Sequence, residues 1–218
     1  MAKVLASVLT KQENKVALIQ SGNKVSRVLV VGVFHGDEPQ GNFLINKYLE
    51  HSETSLLFIP CLNPDGMSQN VRTNSNGVDL NRNFPTKNWG KNEGENATCD
   101  DETTAYYGGS APASEIETQF LVKVIDEYKP NLILTLHAPY MVVNYDGPAS
   151  EVAEKISKII GYPVEASIGY STPGSFGTYC GVERNIPVIT LELDENKPVE
   201  ELQQPVFKIF DYISTLNV

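Results

Sequence analysis

The sequence predicts an α/β sandwich with a mixed, largely parallel sheet, in one domain spanning residues 1–218. Three observations point there. Val28 to Phe34 is an apolar, mostly β-branched run, the pattern of a strand buried on both faces. Leu132 to Leu136 and Val188 to Leu193 repeat it. Between such runs lie segments with apolar residues at helical spacing, and strands alternating with amphipathic helices give an α/β layer structure. A chain of 218 residues is long enough for one domain with a sizeable core.

Taken in order, Ala2 to Leu9 and Lys15 to Gln20 read as two strands leading to the central one, with Ser21-Gly-Asn23 as the turn. Gln40 to Leu49 reads as helix, because Leu44 and Tyr48, and Ile45 and Leu49, are spaced i, i+4. Ser55 to Cys61 is an apolar strand ending in the turn signal Asn63-Pro-Asp-Gly66. Met67 to Pro112 is loop-like and long enough to suggest function; its acidic stretch, Asn92 to Glu102, reads as a solvated loop. Ser114 to Glu117 matches a capping box, ahead of a stripe from Ile116 to Tyr128. Ser150 to Ile160 is helical and stopped by Gly161; Val199 to Leu216 is mainly helical, with Pro205 expected to interrupt it.

The net charge of −10 disfavours nucleic acid or an anionic membrane as partner. No apolar run approaches the ~20 residues of a membrane span, and the N-terminal apolar stretch is too short for a signal peptide. Cys61, Cys99 and Cys180 are odd in number and have no close pair, which argues for a reducing, cytoplasmic setting.

The chemistry centres on Val28-Leu-Val-Val-Gly-Val-Phe-His-Gly-Asp-Glu38. His35 ends the buried strand, and Glu38 precedes Pro39 at a helix start. Open α/β sheets gather function beyond the carboxyl ends of their strands. His-x-x-Glu alone fits either a metal pair or a helix-capping histidine. His137 also ends a buried strand, whereas His51, in His-Ser-Glu-Thr, reads as exposed and idle. His35, Glu38 and His137 thus form a two-His, one-Glu set, a catalytic zinc pattern that leaves a fourth position for water. Glu192 lies inside an apolar strand, where a carboxylate is costly unless paired or working. It reads as the base, against a salt bridge to Arg184 or an outward-turned side chain. Arg72 and the run Gly77-Val-Asp-Leu-Asn-Arg-Asn-Phe-Pro85 supply arginines and asparagines for an anion pocket, if they are not simply solvated.

Across residues 28 to 194 this series resembles the zinc carboxypeptidase family: His35-Gly-Asp-Glu38, Asn63-Pro-Asp-Gly66, Arg72, Asp79-Leu-Asn-Arg-Asn-Phe-Pro85, His137 and Thr190-Leu-Glu192. The resemblance implies an α/β/α fold on a mixed eight-stranded sheet and one zinc ion on His35, Glu38 and His137. It implies Asp79 as hydrogen-bond acceptor for His35, Glu192 as general base and acid, Arg72 on the oxyanion, and Asn81 and Arg82 on the substrate's free carboxylate. Tyr170 falls near the family's mobile tyrosine, one residue out of place. Phe176 falls near its specificity position and offers no acidic group. Within the family, Ala113-Ser-Glu-Ile-Glu-Thr118, Thr172-Pro-Gly-Ser-Phe-Gly177 and the compact length are most similar to small bacterial murein peptide amidases. The implied activity is hydrolysis of an amide next to a free carboxylate terminus, γ-D-Glu–diaminopimelate in murein tripeptide. The alternatives are an N-acyl amino acid deacylase of the succinylglutamate or aspartate type, and a non-catalytic peptide-binding module.

Overall fold

In a computed structural model, which describes residues 2–24, 26–51, 54–90, 106–166 and 172–216, eight strands form one sheet in the order β1-β2-β4-β3-β5-β8-β6-β7. The strands are β1 (Lys3–Leu9), β2 (Lys15–Gln20), β3 (Val28–Gly32), β4 (Leu57–Ile59), β5 (Leu132–His137), β6 (Val143–Asp146), β7 (Val164–Glu165) and β8 (Val188–Glu192). The central strands β4, β3, β5 and β8 are mutually parallel, while β1, β2 and β6 join antiparallel to their inner neighbours. Every residue of β3 and β5 is buried, as expected for parallel strands covered on both faces.

Strand alternation divides the core in two. Val28, Val30, Leu134, Leu136, Ile189 and Leu191 pack under helices α1 (Gln40–His51), α4 (Ser150–Ile160) and α5 (Val199–Ser214). Leu29, Val31, Ile133 and Val188 face the other way, towards α3 (Ile116–Tyr128) and the loop aromatics Phe84, Phe176 and Tyr179. This is the mixed α/β/α sandwich that the sequence predicts.

Several local expectations change. Pro205 does not interrupt α5, which runs unbroken through it. Leu202, Val206, Ile209, Phe210 and Ile213 are buried along one stripe. At ~1.5–3 kcal/mol per buried apolar side chain, that stripe outweighs the roughly 3 kcal/mol cost of an internal proline. The capping box does not close: Ser114 Oγ donates to Glu115 Oε1 at 2.6 Å, and Glu115 Oε2 accepts from the amides of Asn74 and Asn76. The Asn63-Pro-Asp-Gly66 turn opens a short helix, α2 (Pro64–Gln69), with Asn63 Oδ1 accepting from the Gly66 N–H at 2.9 Å. Strands β6 and β7 and a π-helical turn, Thr178–Val182, are additional. The acidic stretch 92–102 lies outside the described residues.

Next to Glu115, Glu117 is 1% exposed, and burial together with the Glu115 charge pushes its carboxyl up to about 7. The folded state therefore holds the proton more tightly than the unfolded chain, whose ordinary value is near 4.5. Stability is full below that value and is lost as pH rises towards 7. Glu117→Gln, which imitates the protonated form, should match the wild type at pH 4 and exceed it by on the order of 2–3 kcal/mol at pH 8. Paired denaturation curves at the two pH values test this; a difference independent of pH contradicts it.

Candidate active site

The site forms where β3, β5 and β8 end. After Gly32 the chain turns out of the sheet through Val33, whose φ of 55° is a left-handed conformation costing a β-branched residue on the order of 1–3 kcal/mol. Its carbonyl accepts the Asn63 N–H at 2.9 Å, which ties the turn to the end of β4. Gly36 packs so closely on the backbone of Gly66 and Met67 that a Cβ there would overlap it. The turn thus fixes His35 above the sheet and brings Glu38 back towards it.

His35 Nδ1 lies 2.8 Å from Glu38 Oε1, and His137 Nδ1 lies 3.0 Å from Glu38 Oε2. The three side chains offer ligand atoms that all lie within 4.8 Å of one another. Three atoms sharing one zinc at ~2.0–2.2 Å must be this close, so the donor set fits a single ion. His35 Nε2 is 3.2 Å from Asp79 Oδ1, the contact that leaves Nδ1 free to be the ligand. Phe34 stacks on the His137 ring at 5.2 Å and fixes its plane. In the ion-free protein, burial lowers the His35 imidazole, but Glu38 and Asp79 overcome this and hold it at about 9. Burial opposes the charge of Glu38, yet His35 and His137 keep it well below the usual carboxylate range. His51 is remote and exposed, its side chain 81% accessible.

The other sequence-predicted residues gather around this group. Glu192 pairs in register with His137 across β5 and β8. It is 8% exposed, and its buried Oε2 has no hydrogen-bond partner among the described residues. Burial pushes its carboxyl above the ordinary range. Arg184 instead bonds the Tyr179 carbonyl and stacks 3.4 Å from that ring, so Glu192 is not held in a structural ion pair with it. Arg72 grips Asp79 Oδ2 through Nε at 3.0 Å and Nη2 at 2.9 Å, which leaves Nη1 turned towards Glu38 at 3.9 Å. Arg82 is 4% exposed and donates to the Asn81 carbonyl; no carboxylate lies within ion-pair distance among the described residues. Asn81 Oδ1 accepts the Phe176 N–H at 2.8 Å, which leaves its amide nitrogen available. Glu192, Arg72, Asn81 and Arg82 line a cavity of ≈ 510 Å³ with His35, Glu38 and His137. Tyr170 lies outside the described residues.

Two of the lining residues that escaped sequence reasoning are notable. Tyr106 covers both arginines, 5.2 Å from the Arg72 guanidinium and 5.6 Å from that of Arg82. It comes from an aperiodic loop, where nothing in the sequence distinguishes it from a surface tyrosine. Asp146, at the end of β6, is the other. Phe176 is 2% exposed and packs between Phe34 and Phe84, so its ring belongs to the core.

Comparison with known proteins agrees with this geometry. A family model described as zinc carboxypeptidase matches residues 6–155. Murein peptide amidase A of Escherichia coli K12 is 36% identical over 172 residues, covering 75% of this chain and 69% of that protein. The Vibrio campbellii protein of the same name is 34% identical over 184 residues, covering 77% and 69%. The crystal structure of a murein-tripeptide amidase from Escherichia coli O157 superposes with a TM-score of 0.81 at 28% identity, covering 98% of this chain and 91% of that one. With two histidines and a glutamate converging at the strand ends and a family match over most of its length, the chain belongs to the zinc carboxypeptidase family and is a zinc-dependent metallopeptidase.

Proposed function

We propose that this chain, acting as one catalytic domain, hydrolyses the amide between γ-D-Glu and diaminopimelate in murein tripeptide, in cytoplasmic recycling of the cell wall. The observation that carries the carboxylate-end reading is Arg82: a buried guanidinium, facing the metal group's cavity, with no carboxylate within ion-pair distance among the described residues, Asp79 acting on it only from further off. A buried charge of that kind calls for a counter-ion, and a substrate carboxylate supplies one in bidentate geometry. The amidase relatives support the choice of substrate, and Cys61 and Cys180, both free thiols, support a reducing compartment.

His35, Glu38 and His137 hold the zinc, which when bound supplies a Lewis acid that polarises the carbonyl and acidifies a water. Arg82 and the Asn81 amide anchor the terminal carboxylate, which places the neighbouring amide between Glu192 and Arg72. Glu192 takes a proton from the attacking water as the C–O bond forms, then delivers it to the amine as the C–N bond breaks. Arg72 donates through Nη1 to the developing oxyanion, its guanidinium held in place by Asp79. Tyr106 lies against both guanidinium groups through its ring face.

The test crosses an enzyme change with a substrate change. Amidating the terminal carboxylate should cost on the order of 2–5 kcal/mol in kcat/KM, the loss for breaking a buried charged pair. Arg82→Ala should cost as much on the free acid and little more on the amide, because both changes delete one interaction. Additive losses would mean that Arg82 and the carboxylate never meet.

A further inference from the structure

One buried amide joins the turn that carries the metal ligands to the segment that carries Arg72. It belongs to Asn63, the first residue of the turn signal Asn63-Pro-Asp-Gly66. The two polar side chains of that motif serve different partners. Asp65 Oδ1 accepts from Thr10 Oγ1 at 2.6 Å and from Asn14 Nδ2 at 2.8 Å, which ties α2 to the β1–β2 turn. Asn63 is fully buried, and its Nδ2 donates to the Phe34 carbonyl at 3.3 Å and to the Arg72 carbonyl at 3.2 Å. Its Oδ1 accepts the Gly66 N–H. Carbonyls only accept and an N–H only donates, so these partners fix which end of the amide points where.

Both carbonyls belong to the site. Phe34 precedes His35 and stacks on the His137 ring. The Arg72 carbonyl accepts a second bond, from the Gly36 N–H at 3.2 Å, so the ligand turn and the Arg72 segment meet around one oxygen. Glycine lets the backbone close on this point: a Cβ at Gly66 would collide with the Asn63 amide and the Thr73 carbonyl, and one at Gly36 with the Gly66 backbone. Asp79 fixes the orientation of the Arg72 guanidinium. The Asn63 amide fixes where the Arg72 backbone stands relative to the turn bearing His35 and Glu38.

We propose that Asn63 is a positioning residue that holds the Arg72 guanidinium at its working distance from the metal ligands. Asn63 does not line the cavity, so it acts only through its two partners. This rests on the reading that Arg72 serves the developing oxyanion.

Asn63→Ser separates placement from capping, because a serine hydroxyl still caps α2 but is too short to bridge both carbonyls. Asn63→Asp keeps the length and the cap and lacks the donor. In the zinc-free protein, hydrogen exchange at the Gly36 amide should rise roughly 10-fold in Asn63→Ser, about the value of one hydrogen bond, while the amides of β3 and β5 exchange as in the wild type. In the zinc-loaded variant, kcat on murein tripeptide should fall roughly 10- to 100-fold, the scale of a misplaced catalytic group, with KM and zinc content unchanged. Added to Arg72→Ala, the same change should cost no more than about 2-fold, because the guanidinium it places is gone. Unchanged Gly36 exchange, a loss carried by KM, or losses that multiply in the double variant would overturn the proposal. If Asn63→Ser does not fold, the same measurements on Asn63→Asp decide; failure of both to fold makes Asn63 a folding residue and overturns it. If Arg72→Ala loses affinity rather than turnover, the oxyanion reading falls, and Asn63 keeps its role only if Gly36 exchange rises and its own loss still vanishes without Arg72. If the tripeptide is not cleaved, that substrate falls and the Gly36 exchange alone decides the role of Asn63.

Discussion

Glu192→Gln should keep its zinc and lose about 100-fold or more of its turnover, the scale of general acid–base catalysis. Glutamine preserves the shape of the side chain, so packing on β8 is retained. It removes the one carboxylate that stands in register with His137 and has a buried oxygen with no partner among the described residues. Burial already makes that carboxyl a stronger proton acceptor than an exposed glutamate, which suits a group that must take a proton and return it. Zinc content by atomic absorption and kcat on one substrate check the prediction together. Near-normal turnover would place the base elsewhere; loss of zinc would make Glu192 a structural residue of the metal site.

His137→Ala should lose both metal and activity. Its imidazole is one of three side chains that could hold the ion, and two ligands do not hold zinc through dialysis. The change also removes the 3.0 Å partner of Glu38 Oε2, leaving that carboxylate less fixed. His51→Ala, at an exposed and remote position, should behave as wild type. Loading the wild type should release a proton. His35 stays protonated up to about pH 9 in the ion-free protein, so apparent zinc affinity should rise with pH until that value is passed. Titration calorimetry in two buffers of different ionisation enthalpy reads the proton directly. Unchanged zinc content in His137→Ala contradicts the ligand assignment.

The candidate ligands were legible because fully buried strands write themselves as uninterrupted apolar runs, so a histidine at the end of such a run stands out. His35 and His137 are cases of this. Glu192 was legible for the converse reason, a charge inside an apolar strand. Strand β6 was not: Asn144, Tyr145 and Asp146 make it short and polar, and it becomes a strand only through pairing with β8. Asp146 enters the site by register, a tertiary fact that no local pattern encodes. Tyr106 depends likewise on where a long loop returns. Pro205 misled because the local cost of a proline is visible in the sequence, while the buried stripe that outweighs it depends on packing against the sheet.

The most direct measurement is product analysis by mass spectrometry after murein tripeptide, ordinary dipeptides and N-acyl amino acids are incubated with zinc-loaded and zinc-free protein. Free diaminopimelate and L-Ala-γ-D-Glu should form from the tripeptide only when zinc is present, with little product from the other substrates. Intact tripeptide, cleavage at the L-Ala–D-Glu bond, or equal turnover without zinc would contradict it.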